Sequence, residues 1–507
     1  MASDAVSSQR ISRIVGYKLA KGNFSTVTSN LPQRYALFAE ANDTNQGTLN
    51  LTPFQITSAQ QAGQLYGYGS PIYAAARILL PIGGGGVNGI PVIVYPQAKA
   101  GGATAKVLQI TPMGTATGNG THTLVIAGRE NLDGNFYNIN INTGDTTAII
   151  SDKIGSALNA VLGAPFIGSD TDYHATLTSK WSGATADQLS VTIDTNGNDL
   201  GITYTVVSVA SGSGTPVAGV TSSLALIGSD WVTIAINGYG LNTQVLTAFE
   251  EFNGIPDPVN PTGRFAAIIF KPLIAIAGST LDNPSSITDS RLNDVTNAVA
   301  PAPASAGLDI EAAANMAVLF GTISQNTPHL DVAGRPYPDM PAPSAIGSMA
   351  SYDNRDVIVQ KGCSTVDLIA GVYVVQDFVT TYHPLGEVPP QFRYCRNLML
   401  DSNVRFQYYL LEQINVVDHL IANDIDIVDV DNVIKPKQWT QILNQFASDL
   451  VKMGLVVDAQ FMQDSIVVGI STINPDRFET FFKYKRSGVV RIASTTAEAG
   501  FNFGTLN

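Results

Sequence analysis

KGCSTVDLIAGVYVVQDFVTTYHPLG, from Lys361 to Gly386, is the stretch around which the chain reads. Its apolar residues Leu368, Ile369, Val372, Val374, Val375 and Phe378 are largely β-branched or aromatic, the composition of buried strands. Cys363, Ser364, Asp367 and His383 share this window and invite a catalytic reading. A nucleophile needs a base within hydrogen-bond reach and a third group that orients the base. The spacing here matches no nucleophile elbow and no Cys-His signature. The stretch therefore reads as structural, a Gly turn feeding two strands of one sheet.

Composition limits what surrounds it. A chain of 507 residues exceeds a single core and suggests three or more domains. With 45% apolar residues, 46 Gly and 26 Pro, the composition is globular and loop-rich. No apolar run reaches the ~18 residues of a membrane span, and Asp4, Arg10, Arg13 and Lys18 interrupt the first turns that a signal peptide would use. The expectation is a soluble protein made in a cytoplasm, without membrane insertion. Cys363 and Cys395 form no CxxC pair and read as reduced core thiols. A net charge of −13 argues against direct nucleic-acid binding through a broad basic face.

Taken in order, residues 1–24 carry mostly basic charge, and the alternation Ile11, Arg13, Val15, Tyr17 suits a strand with no hairpin partner nearby. From Gln33 to Pro96 the pattern is α/β. Tyr35–Phe38 and Pro91–Tyr95 read as buried strands, Ser58 with Gln61 as a capping box, Gly67 as a helix stop, and Ser70-Pro71 as the start of a second helix. Gly83–Gly86 lacks the Lys-Ser/Thr of a phosphate loop and precedes a strand, so it reads as a turn. Between Ala98 and Ala225, Gly, Thr, Ser and Asn dominate. Strands are expected at Thr123–Ala127, Tyr137–Ile141, His174–Thr178, Leu189–Ile193 and Thr203–Val207, with one helix carrying Ile150, Ile154, Leu158 and Val161 on a face. Linker-like borders, AKAGGATA and ASGSGTPVAG, predict an insert with a core of its own that can be removed. His122 and His174 stand isolated, and no metal site is expected there.

The α/β pattern resumes at Trp231, with a helix over Leu241–Phe252, a buried strand at Phe265–Phe270, a Pro/Ala loop at Pro301–Gly307 and a small-residue helix at Ile310–Ile323. A long amphipathic helix follows, capped by Asp401 or Ser402, whose face is Val404, Tyr408, Leu411, Ile414, Val417 and Ile421. NDIDIVDVDN (423–432) lacks the Gly and closing Glu of a calcium loop. Its period-two alternation predicts an extended edge with Ile425, Ile427, Val428 and Val430 inward and Asp424, Asp426, Asp429 and Asp431 exposed. Pro436 opens a helix through Leu450, and the last strands are expected at Asp464–Ile470 and Val489–Ile492. The fold class is thus α/β multidomain. Its parts are an N-terminal arm (1–24), an α/β core in two pieces (25–100 and 226–400), an inserted β-rich domain (101–225), a C-terminal α+β domain (401–495) and a C-terminal arm (496–507).

Several of these segments together resemble the tail sheath proteins of contractile-tailed phages, most closely the Mu-like group. Gly362, Ser364 and Thr365, then Gly371, then Val379–Tyr382 follow that family's Gly-x-Ser-Thr turn, its strand with a central Gly and its Val-Thr-Thr-Tyr strand. PHLDVAGRPYPDMPAP (328–343) lies upstream as the family's Pro-rich segment does. YGYGSPIYAAAR (66–77) and INPDRFETFFKYKRSGVVRIA (473–493) extend the match to most of the chain outside 101–225. The resemblance implies a structural, non-enzymatic subunit without cofactor. Six copies would form a ring, with rings stacked helically around a tail tube protein and contacting baseplate and tail terminator proteins. The assembly would contract to drive the tube through a host envelope. It implies a place in the virion tail, assembly in the host cytoplasm, and terminal arms that add a strand to a neighbour's sheet. Arg10 and Arg13 in the arm, the acidic row Asp424, Asp426, Asp429 and Asp431, and the basic cluster Lys483, Lys485 and Arg486 are the candidate subunit contacts. The sheath of a related contractile injection machine fits the same residues. An α/β enzyme with a β-rich binding insert is the reading from another class, and it lacks a motif.

Overall fold

The computed structural model describes residues 30–497, apart from 88, 172, 388 and 389, together with residue 499. The expected N-terminal arm, with Arg10 and Arg13, and most of the expected C-terminal arm lie outside the described residues.

The first elements are β1 (Tyr35–Glu40), β2 (Phe54–Ile56), α1 (Ala59–Tyr66), α2 (Pro71–Leu79) and β3 (Val92–Gln97). Local chemistry sets the two helices. The Ser58 hydroxyl accepts from the Gln61 amide at 3.2 Å, Gly67 takes a φ of 95° after α1, and Ser70 accepts from the Tyr73 amide ahead of Pro71. The Gln61 side chain completes the cap one residue early, accepting from the Thr57 amide rather than that of Ser58.

The insert follows as β4 (Ala105–Met113), β5 (Gly120–Ile126), the short pair β6 (Asn131–Leu132) and β7 (Asn135–Phe136), and β8 (Asn138–Ile141). Then come α3 (Thr147–Asn159), β9 (Phe166–Thr171), β10 (His174–Ser182), β11 (Val191–Asp194) and β12 (Thr203–Ala210). Two antiparallel sheets result, ordered β12-β4-β10-β9 and β11-β5-β8. Between their strands α3 buries Ile150, Ile154 and Leu158 completely. Every expected strand of this segment overlaps one of these, while β4, β6, β7 and β9 have no counterpart among the expected strands.

The chain then returns through α4 (Val217–Ala225), β13 (Ile234–Asn237), α5 (Thr243–Asn253), β14 (Ile274–Ser279), α6 (Ser285–Thr288), β15 (Asn297–Pro301) and α7 (Asp309–Asn326). A six-stranded sheet forms in the order β15-β14-β13-β1-β3-β2, parallel except for β2. Along β1 the side chains alternate between two packed faces. Tyr35 and Leu37 join the core that holds α1, α2 and α7, whereas Ala36 and Phe38 join Tyr95, Val220, Leu224, Val245 and Phe249 beneath α4 and α5. Helix α4 thus packs on the main sheet although it falls within 101–225. Phe265–Phe270 is not a strand. The chain turns there, with Ile268 99% exposed, and the buried strand is β14. The apolar pattern alone could not choose between the two, because only β14 lies in register beside β13.

Beyond α7 come α8 (Tyr352–Gln360) and the hairpin β16 (Thr365–Ile369) and β17 (Val372–Asp377), which contains the stretch quoted first. Ala370 and Gly371 turn it with φ of 52° and 76°. Val379–Tyr382 is not a strand: among the described residues it carries two single bridges, Val379 to Tyr394 and Thr380 to Ala298, and bends at Thr381. Next is α9 (Cys395–Asn415), which starts before Asp401 and is preceded by Tyr394, so neither Asp401 nor Ser402 caps it. Leu398 and Met399 belong to the α/β core, Leu400 and Val404 to the next one, so α9 joins the two modules.

The C-terminal module comprises β18 (Leu420–Ile421), β19 (Val433–Ile434), α10 (Pro436–Lys452), β20 (Val456–Val457), α11 (Ala459–Ser465), β21 (Val467–Ile470), β22 (Phe478–Phe481) and β23 (Lys485–Arg486). Its core gathers Trp439, Leu443, Phe446 and Leu450 from one face of α10. Two expectations fail. Residues 423–432 form a loop, not an edge strand, and Ile427 is 100% exposed with Ile425 and Val430 also outward. Val489–Ile492 forms no strand among the described residues, with Val490 84% exposed.

The insert does not keep a core of its own. One continuous apolar cluster runs from Tyr35, Ile72 and Tyr73 into Leu132, Ile154, Phe166 and Trp181. Polar contacts close the seam. Asp43 accepts from the Ser182 hydroxyl at 2.6 Å, Glu40 from Thr185 at 2.7 Å and Asp309 from Gln188 at 2.8 Å. Arg129 reaches the other way, to Asp339 at 2.6 Å and Glu311 at 3.1 Å.

Candidate assembly interface

The organising stretch is built for packing. The Cys363 thiol is buried and its burial pushes its pKa up, away from the thiolate. Ser364 spends its hydroxyl on the Val379 backbone, donating to the carbonyl at 3.2 Å and accepting from the amide at 3.1 Å. His383 lies against the Thr381 carbonyl at 2.6 Å and 3.6 Å from Asp289. These contacts stitch the hairpin to β15, where the Thr381 amide donates to Asn297 at 2.8 Å.

Exposed chemistry concentrates in the C-terminal module. Asp426 accepts from the Asn423 amide at 2.9 Å and Asp424 from the Lys437 amide at 2.9 Å, which fixes the start of the acidic loop. Asp429 and Asp431 are exposed beside the outward Ile427 and Val430. The loop therefore presents carboxylates and aliphatic side chains together.

The basic cluster divides. Arg486 is held within the chain, donating to both carboxylate oxygens of Asp401 at 2.8 and 2.6 Å, and Tyr484 donates to the same carboxylate at 2.8 Å. Burial disfavours the guanidinium charge, but Asp401 more than offsets it, and the Arg486 pKa is raised. Lys485 pairs with Asp458 at 2.6 Å and covers the Phe461 ring; its hydrogen bond, with that from the Phe461 amide, lowers the Asp458 pKa. Lys483 is exposed and stands over the ring of Phe481. No ion pair joins the acidic row to this cluster among the described residues. Asp401 and Asp458, the actual partners, carried no sequence signal, since each is an ordinary acidic residue until the tertiary fold brings a cation to it.

The segment after β23 is clamped to the α/β core. Arg396 donates to the Ser487 carbonyl at 2.6 Å and to the His329 carbonyl at 3.0 Å. Arg491 pairs with Asp331 and stacks on Tyr394 at 3.7 Å. Residues 488–490 and 492 are left exposed and outside any strand among the described residues. The hairpin β21–β22 also exposes Val467 and Phe481.

Comparison with known proteins gives this surface a context. Over 396 residues, 76% of this chain and 77% of the relative, the sequence is 22% identical to the Mu-like prophage FluMu tail sheath protein of Haemophilus influenzae. This chain resembles a tail sheath protein. The tail sheath resemblance read from Gly362–Tyr382 and its flanking segments thus has a curated counterpart over three quarters of the chain. No protein-family model matches. Among solved structures, the sheath tail proteins of Desulfitobacterium hafniense and Listeria innocua are each 11% identical, with TM-scores of 0.42 and 0.43. They cover 93% and 91% of this chain, and 100% and 94% of their own. The contracted helical sheath of the anti-feeding prophage gives a TM-score of 0.47 at 11% identity, covering 97% of this chain and 100% of its own.

Proposed function

We propose that the protein is the structural subunit of a contractile sheath. Copies of it would form hexameric rings, stack helically around a tail tube and contract to drive that tube through a host cell envelope. The observation that carries this reading is the 22% identity to a tail sheath protein, sustained over 396 residues. The build of the chain supports it. Long-range contacts fix the insert, the α/β core and the start of α9 to one another, which suits a unit that moves as a rigid body between two lattice packings. Residues 488–492, outside any strand among the described residues, offer a segment with which a neighbour's terminal arm could pair, and the acidic loop at 424–431 carries a charge that suits the basic segment holding Arg10 and Arg13. Tube, baseplate and tail terminator proteins complete the partner set, in the virion tail after assembly in the host cytoplasm. A phage tail and a related contractile injection machine both fit.

The enzyme reading loses ground on one specific feature. In open α/β sheets ligands enter at the carboxyl ends of the strands where the connections diverge, and here residues 182–188 of the insert fill that place through Thr185 and Gln188. Sedimentation of the purified chain tests the proposal. Fast-sedimenting polymer that disappears when residues 1–20 are deleted from a still folded chain supports it. Polymer that persists in the truncated chain removes the N-terminal arm from the account.

A further inference from the structure

Glu40 ends β1 beside β13, the pair at which the connections diverge to opposite sides of the sheet. Its carboxyl group is 1% exposed and faces the insert. Oε2 accepts from the Thr185 hydroxyl at 2.7 Å, and that hydroxyl accepts from the Trp181 indole at 2.9 Å. Oε1 is buried with no hydrogen-bond partner among the described residues. Gly183 lies so close that a Cβ there would stand 2.6 Å from Oε1. The charged and titratable groups around it offer no counter-charge. Asp43, on the turn after β1, is itself acidic and has its own cation in Lys99 at 3.4 Å. Tyr239, after β13, buries a hydroxyl without a partner among the described residues. Asp309, at the start of α7, is engaged by Gln188 and the Thr280 amide.

We propose that this seam is a pH-governed latch: the neutral Glu40 carboxylic acid holds the insert closed on the α/β core, and loss of its proton releases the turn at 182–188. A buried carboxylate with one bare oxygen and an acidic neighbour is a poor closed state, whereas the neutral acid needs no counter-charge. Burial pushes the Glu40 pKa up from 4.5 to about 8; the Thr185 hydrogen bond opposes the rise and Asp43 adds to it. Once the seam opens, water reaches the carboxyl and the pKa returns toward the ordinary carboxylate range. Between those two values the closed form holds a proton that the open form releases, so opening becomes easier as pH rises and levels off above the upper value. One proton corresponds to a rise of about tenfold in the open fraction per pH unit.

Hydrogen exchange by mass spectrometry on the full chain tests this, reading the amides of 182–188 relative to those of α10 in the same molecule. The expected ratio climbs up to about tenfold per pH unit between roughly pH 5 and 8 and then flattens. In Glu40→Gln it stays level from about pH 6, the value to which burial raises Asp309, the partner of Gln188, up to pH 8. Thr185→Val removes the bond that favours the carboxylate, so its flattening point moves to higher pH; this variant decides the matter if Glu40→Gln does not fold. A level ratio in the unmodified chain, an unchanged climb in Glu40→Gln, or an unmoved flattening point in Thr185→Val would each overturn the latch.

Discussion

Asp401 sits inside α9, where its neighbours in sequence give no hint of its partners, yet it accepts from Arg486 through two nitrogens and from Tyr484. Removing it strands a partly buried guanidinium, an effect between that of an exposed pair and that of a fully buried one. Asp401→Ala should destabilise the C-terminal module by about 2 kcal/mol. Urea denaturation followed through Trp439, which lies in that module's core, measures this, and no shift of the midpoint would contradict the pairing. Lys485 is the opposite case. Its bond to Asp458 is exposed, so Lys485→Glu should leave the unfolding midpoint nearly unchanged and give a folded subunit in which assembly can be assayed. A failure of that variant to fold would show that the pair is structural rather than peripheral. Cys363 and Cys395 are buried, and burial raises the pKa of each thiol. Both should resist a thiol reagent in the native chain and react only on unfolding; rapid native labelling would contradict their placement. Residue chemistry was legible where it is local, as in the caps at Ser58 and Ser70. It was illegible where a charge finds its partner through the fold, as at Arg486.

The hairpin β16–β17 shows how much an element owes to its own sequence. Its β-branched residues were readable as strands and they pair in register, whereas Gly371, which the resemblance placed inside a strand, turns the hairpin with Ala370. Ala370 holds a φ of 52°, a region that costs an L-residue energy and glycine little. Ala370→Gly should therefore raise the melting free energy by about 0.5–1 kcal/mol; a clear loss of stability would mean that the Ala370 methyl makes a contact outweighing the strain. Elements failed to be legible when the deciding factor lay outside them. Ala266–Phe270 and β14 carry similar apolar runs, but only β14 lies beside β13. The acid-aliphatic alternation at 424–431 has strand periodicity, yet the strands on either side, β18 and β19, pair with each other and not with it, so Ile425, Ile427 and Val430 stand in solvent. Val489–Ile492, an aliphatic run broken by Arg491, likewise lies in no strand among the described residues and is held by the Arg491 side chain.

At the scale of the whole molecule, the borders of the insert were plain in its Gly-, Ser- and Ala-rich flanks, while its attachment was not. Composition cannot say that Trp181 and Phe166 share a cluster with Tyr35 and Ile72, nor that three carboxylates of the core grip 182–188. The expectation of a removable insert changes accordingly. Replacing residues 101–225 by a Gly/Ser bridge would strip α4 from Phe38 and Tyr95 and bare Glu40 and Asp309, so the shortened chain should be insoluble or unfolded by circular dichroism. A soluble, cooperatively melting product would show the seam to be dispensable. If the seam holds as described, contraction of a lattice would carry core and insert together, and the freedom between subunits would lie at the C-terminal module and the arms. Whether the chain builds such a lattice is the central question, and negative-stain electron microscopy of the purified full-length protein addresses it directly. A sheath subunit should give hollow, striated tubes of uniform diameter. Compact monomers at every concentration and salt condition that keeps the protein folded would contradict it.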